Sequence, residues 1–217
     1  MEKILFIGNS YTFFNDMPLI FKALCDENGK ECEVSSLTKG GRRLIENKTR
    51  DDEFSKKVRD TVLGKKYGAV ILQDQSLIAV DDPDGFFEGV KYHLETVQAE
   101  RYILYATWGR KEGSDKLDER SLTSAKMNSI ISMRYSSVAS KLGCEVSPVG
   151  DIFEAIKNRY PELELYNDDK SHPSYLGSCA SALIHYKTVF GAMPESFKAF
   201  DTDSDIIAKI ITLVADI

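Results

Sequence analysis

Short apolar runs alternate along this chain with longer amphipathic stretches. Ile4-Leu5-Phe6-Ile7 is closed by Gly8, and Gly68-Ala69-Val70-Ile71-Leu72 runs into Gln73. Runs of this length, rich in branched residues, predict strands buried on both faces. Three further segments predict strands: Glu31 to Leu37, Tyr102 to Thr107 and Cys144 to Val149. Between them the apolar period lengthens. Leu19, Ile20, Phe21, Leu24 and Cys25 share a helical face that ends at Gly29, with Asn15 or Asp16 as its cap and Pro18 in its first turn. Helices are also predicted over Lys56 to Leu63, within Pro83 to Glu100, and over Ser121 to Leu142, Gly150 to Arg159, Tyr175 to Phe190 and Asp203 to Ala215. Glu112 to Glu119 and Tyr166 to Ser174 read as polar loops.

Strand and helix alternate throughout. The pattern predicts a three-layer α/β/α, flavodoxin-like fold with about five parallel strands and helices on both faces. No repeat, low-complexity tract or linker interrupts it, so residues 1–217 are expected to form one domain. In such sheets ligands bind beyond the carboxyl ends of the strands. Polar clusters follow three of the predicted strands: Gly8-Asn9-Ser10, Gly40-Gly41 and Gln73-Asp74-Gln75-Ser76. A fourth, Asn167 to Pro173, precedes a late helix and holds His172, whereas His93 and His185 fall inside helical patterns and read as packing or surface residues.

Composition narrows the partners. A formal net charge of -6 gives no basic footprint for nucleic acid. No apolar run approaches the ~20 residues that span a bilayer. No secretory leader is visible after Met1, and the scattered Cys25, Cys32, Cys144 and Cys179 read as cytosolic thiols, with Cys25 and Cys179 in the core. A cytoplasmic protein without cofactor is expected.

The clusters supply the parts of acyl transfer. A serine hydroxyl needs a base, histidine titrates near neutrality, a carboxylate orients the ring, and N–H donors must await the oxyanion. Ser10, His172, Asp169, Gly41 or Gly40, and Gln75 provide them. With these residues in this order the chain resembles an SGNH (GDSL-type) hydrolase. The family's Gly-Asp-Ser is matched by Gly8-Asn9-Ser10, and its Asp-x-x-His by Asp169-Lys170-Ser171-His172. Its second-motif glycine is best matched by Gly41, and its Gly-x-Asn-Asp falls on Gln73-Asp74-Gln75-Ser76, where neither the glycine nor the asparagine is present.

The resemblance implies a serine esterase acting on a small acyl ester, an O-acetyl group on a carbohydrate being one example. Ser10, Asp169 and His172 would be catalytic, and Ser10, Gly41 and Gln75 would hold the oxyanion. Asp168 is expected to face solvent, Arg42 and Arg43 to be solvated, and Tyr11, Phe13 and Trp108 to be core more readily than a substrate wall. Gly-x-Ser-x-Gly, Gly-x-Gly-x-x-Gly and Walker motifs are absent, and a metal site on Asp168, Asp169 and His172 lacks a second histidine at ligand spacing. The alternative is a flavodoxin-like module that binds an anionic small ligand at the strand ends without chemistry.

Overall fold

The apolar run at the start of the chain forms β1 (Glu2–Gly8), and its side chains alternate between two cores. Ile4 and Phe6 enter one apolar cluster, Leu5 and Ile7 the other, and none is more than 1% exposed. A strand buried on both faces belongs inside a parallel sheet. The computed structural model, which describes residues 1–215, shows that sheet; Asp216 and Ile217, at the end of the expected 1–217 domain, lie outside the described residues.

The other strands are β2 (Cys32–Thr38), β3 (Lys66–Leu72), β4 (Gln98–Tyr105) and β5 (Glu145–Ser147), all parallel, in the order β2-β1-β3-β4-β5. The helices are α1 (Ser10–Phe13), α2 (Met17–Glu27), α3 (Glu46–Thr49), α4 (Glu53–Val62), α5 (Ile78–Asp81), α6 (Pro83–Thr96), α7 (Asp115–Asp118), α8 (Ser124–Leu142), α9 (Val149–Arg159), α10 (Tyr175–Phe190) and α11 (Ser204–Ala215). The cluster on one sheet face takes its helical residues from α1, α2, α9, α10 and α11. The other draws on α4, α6 and α8. This is the expected three-layer α/β/α architecture. No helix among the described residues is long and apolar enough to cross a membrane.

The register positions the site. Gly8 pairs with Thr38, Ile7 with Leu72, Leu72 with Leu104, and Tyr105 with Ser147. The strands therefore end almost flush, and the segments that leave β1, β2, β3 and β4 emerge side by side along one rim.

Several local expectations are corrected. Ser10 is already helical, the first residue of α1, with only Asn9 between it and β1, whereas the sequence pattern predicts the first helix from Asn15 or Asp16 onward. Asp16 precedes α2 but makes no side-chain cap, because it and Asn15 both lie in the left-handed region at φ 53°. Asn15 instead donates to the Pro173 carbonyl at 3.1 Å and to Ser178 Oγ at 2.9 Å. The helix within 83–100 stops at Thr96, and β4 begins four residues before Tyr102, since polar Gln98 to Arg101 still pair with β3. The polar stretch 112–119 contains α7. Arg42 is not solvated: it is 4% exposed, with its guanidinium on Asp52, Asn47 and the Glu46 carbonyl.

Candidate active site

The turn after β1 is built for close approach. A Cβ on Gly8 would lie 2.5 Å from Thr12 Oγ1 and 2.6 Å from Gln73 Oε1, so glycine is needed for contact. Asn9 is extended and caps α1, its Oδ1 accepting the Tyr11 N–H at 3.1 Å. Its Nδ2 donates to the Arg42 carbonyl at 2.9 Å, and its backbone N–H donates to Gln73 Oε1 at 2.8 Å. Gln73 Oε1 also accepts from Thr12 Oγ1 at 2.9 Å. Three chain segments are thereby fastened around Asn9, and Ser10 follows with its N–H in the first turn of α1, where no intrahelical acceptor exists.

The loop before α10 brings the histidine to the same place. His172 Nε2 is 2.8 Å from Ser10 Oγ, and its Nδ1 is hydrogen-bonded to Asp169 Oδ2. With the ring proton on Nδ1, the imidazole donates to Asp169 and accepts the Ser10 hydroxyl at Nε2. Asp169 Oδ1 accepts the N–H groups of Ser171 at 3.0 Å and His172 at 2.9 Å, which winds the loop into a tight turn with Lys170 at φ 58°. Burial works against ionisation of Asp169. The His172 ring and the His172 and Ser171 N–H groups outweigh it and hold the carboxyl below its usual range.

Aromatic side chains pin this loop to the core. Trp108, fully buried, donates from Nε1 to the Ser171 carbonyl at 3.0 Å. It stacks between Phe153 (4.1 Å) and Tyr11 (4.8 Å), and Tyr11 Oη is 2.7 Å from Ser171 Oγ. The His172 ring lies flat on Phe14, centroids 4.1 Å apart, and meets the edge of Tyr11. Phe14 was not anticipated as a site residue; nothing in local spacing marks it. Tyr11 and Trp108 belong to the core, as expected, while Phe13 is 38% exposed.

The remaining residues follow β2 and β3, the two neighbours of β1. Gly41 occupies an exposed turn at φ 67°, next to the Arg42 carbonyl that Asn9 holds. Gly40 is its exposed neighbour. Gln75 is half-buried and accepts the Leu77 N–H on Oε1 at 2.8 Å, leaving the nitrogen end of the amide as its donor. Asp74 links the two segments. Its Oδ1 accepts the Leu44 N–H at 2.9 Å and the Gln75 N–H at 2.7 Å, while Oδ2 is buried without a partner. Burial, offset only in part by those two N–H groups and by Arg43, pushes its carboxyl up to about 7.

The other histidines are unsuited to proton transfer. His93 and His185 are fully buried, and burial lowers them to about 4 and about 3. Asp168 is exposed, as expected. Gln73 and Asp74 carry more of the framework than sequence reading assigned to them. The available signal was their polarity at the end of an apolar strand, where both are 0% exposed.

No protein-family model and no curated protein matches the chain. Solved structures do. A provisionally assigned SGNH hydrolase from Slackia heliotrinireducens is 25% identical, with a TM-score of 0.76 over 86% of this chain and 98% of that one. A DUF4886-family protein from Bacteroides uniformis also reaches 0.76, at 15% identity, over 99% of this chain and 93% of its own. A catalytic mutant of an acetylxylan esterase from Geobacillus stearothermophilus reaches 0.62 at 16% identity, over 90% and 97%. The last two are likenesses of fold. The Slackia structure, together with the order of the sequence motifs, supports the SGNH (GDSL-type) hydrolase family for this chain.

Proposed function

We propose that this carboxylic ester hydrolase is a serine esterase that cleaves a small acyl ester through an acyl-enzyme, with an O-acetyl group on a carbohydrate as the substrate. The observation that carries the reading is the hydrogen-bonded series from Ser10 Oγ to His172 Nε2, at 2.8 Å, and from His172 Nδ1 to Asp169. The acetylxylan esterase of like fold supports the choice of acetyl.

Ser10 Oγ adds to the carbonyl carbon as its proton passes to His172 Nε2. Asp169 fixes the ring and stabilises the imidazolium. The oxyanion is held by the N–H groups of Ser10 and Gly41, with the Gln75 amide as a third donor; one such donor is worth about 10²–10³ in kcat. Collapse expels the alcohol, which takes the proton from His172. Water then adds to the acyl group with His172 as base, and the acid leaves as the Ser10 hydroxyl is restored. Tyr11 and Phe14 restrict the ring to the orientation this requires.

A panel of short p-nitrophenyl esters and acetylated oligosaccharides tests the reading. Turnover should disappear in Ser10→Ala and His172→Ala, and a fluorophosphonate should label Ser10. Undiminished turnover in Ser10→Ala ends it; tight anion binding without labelling would favour a non-catalytic module.

A further inference from the structure

Arg110 leaves the end of β4 on the same rim and is only partly accessible. Its neighbour Lys111 donates its backbone N–H to the Lys170 carbonyl at 3.0 Å, two residues before His172. One Arg110 nitrogen, Nη2, donates to Ser76 Oγ at 3.2 Å, and Ser76 directly follows Gln75. Its Nε is buried without a partner. Arg110 has no carboxylate within salt-bridge distance among the described residues. Arg42, Arg43, Arg50, Arg59, Arg101 and Arg120 each have one, and Arg134 and Arg159, which have none, are exposed. Arg110 is thus the half-buried guanidinium whose charge the described chain does not balance.

Its position selects one half of an ester. The Arg110 segment is tied to the His172 loop, and the Arg110 charge acts on Tyr11, whose hydroxyl meets Ser171. The leaving alcohol must also lie on the His172 side, because His172 returns the proton to it. A guanidinium keeps its charge at any working pH and presents a planar fork that matches carboxylate and phosphate oxygens.

We infer that Arg110 is a specificity-determining residue that receives an oxyanionic group, carboxylate or phosphate, on the alcohol half of the substrate. The inference rests on the esterase reading above. It makes the preferred substrate an acyl ester of an acidic alcohol, such as an acidic sugar.

A matched set of acetates tests it: 4-acetoxybenzoate, its neutral methyl ester and 4-acetoxyphenyl phosphate, followed by release of the phenol. The expected result is a preference in kcat/KM for at least one anionic ester over the neutral one of about tenfold or more, the scale of one charge-assisted bond. The preference should shrink with added salt, collapse toward unity in Arg110→Gln and return in part in Arg110→Lys. Which anionic ester is favoured separates carboxylate from phosphate. Equal kcat/KM for all three with the native protein overturns the inference, as does an Arg110→Gln variant that slows all three by one factor. Circular dichroism and the neutral-ester rate report whether the variant is folded. Ser10→Ala, run on the neutral ester, reports separately on the esterase reading.

Discussion

Replacing Asp74 with asparagine exchanges a titrating oxygen, Oδ2, for an amide nitrogen and keeps the Oδ1 acceptor that holds the Leu44 and Gln75 N–H groups. The carboxyl is pushed up to about 7 by burial, so in the folded chain it keeps its proton where an unfolded aspartate, near pKa ~3.9, has lost it. A raised pKa means the folded state binds more protons between those limits. Stability therefore falls as pH rises through that window and is level above it. From about pH 5 to the folded value spans roughly two units, at about 1.4 kcal/mol each, so this group alone should cost about 3 kcal/mol between about pH 5 and pH 8. Arg43 and Glu46 act on the same carboxyl with opposite signs, and burial exceeds both. Asp74→Asn removes the cost but leaves an unpartnered buried amide, a penalty of about 1–3 kcal/mol at every pH. Urea unfolding should find the variant no more stable than the native chain near pH 5 and more stable near pH 8, the difference between the two proteins moving by about 3 kcal/mol. A difference that does not change with pH refutes the reasoning. Asp74→Ala, which removes the shared acceptor, should lower kcat more than Asp74→Asn; equal kcat in the two would show that Oδ1 does not position the Gln75 segment.

Three further outcomes are expected. Gly8→Ala should destabilise by about 2–3 kcal/mol in urea unfolding, because its Cβ would meet Thr12 Oγ1 at 2.5 Å and Gln73 Oε1 at 2.6 Å. Asn9→Asp restores the family residue yet should cost about 1–3 kcal/mol and lower kcat, since a carboxylate cannot donate to the Arg42 carbonyl now bonded at 2.9 Å; thermal unfolding and ester turnover check it. Asp169→Asn should reduce kcat by about 10⁴ with little change in KM, measured on p-nitrophenyl acetate, because an amide neither fixes the Nδ1–H tautomer nor stabilises the imidazolium.

The layers and the rim were legible because they depend on local pattern. Alternation in β1 and glycine stops after the helices state which elements form, and parallel strands with flush ends bring their exits together. Ser10 could be picked out because it stands in a polar segment at such an exit, and Asp169 and His172 because they share a polar loop before a late helix. What could not be read was contact between segments far apart in sequence. Arg42 looks like one of two surface cations beside a glycine pair, and only Asp52, Asn47 and Glu46 make it a buried anchor. The four-residue helices α1, α3, α5 and α7 are too short to carry an apolar period. The left-handed pair Asn15 and Asp16 is held by Pro173 and Ser178, more than 150 residues away in the chain.

Two of the departures from the family motifs fasten the same turn. Asparagine in place of aspartate at position 9 gives the first motif a donor, which the Arg42 carbonyl accepts. Glutamine in place of glycine at position 73 gives the third motif an acceptor, which takes the Asn9 N–H and the Thr12 hydroxyl. That side chain fits because Gly8 has none: a Cβ there would also stand 3.1 Å from Gln73 Cβ. The glycine lost from one strand end is thus tolerated because a glycine is kept on the adjoining one. The two bonds are independent, since Gln73 takes the backbone N–H at position 9 while Asn9 donates through its side chain, and both fasten the turn that presents Ser10.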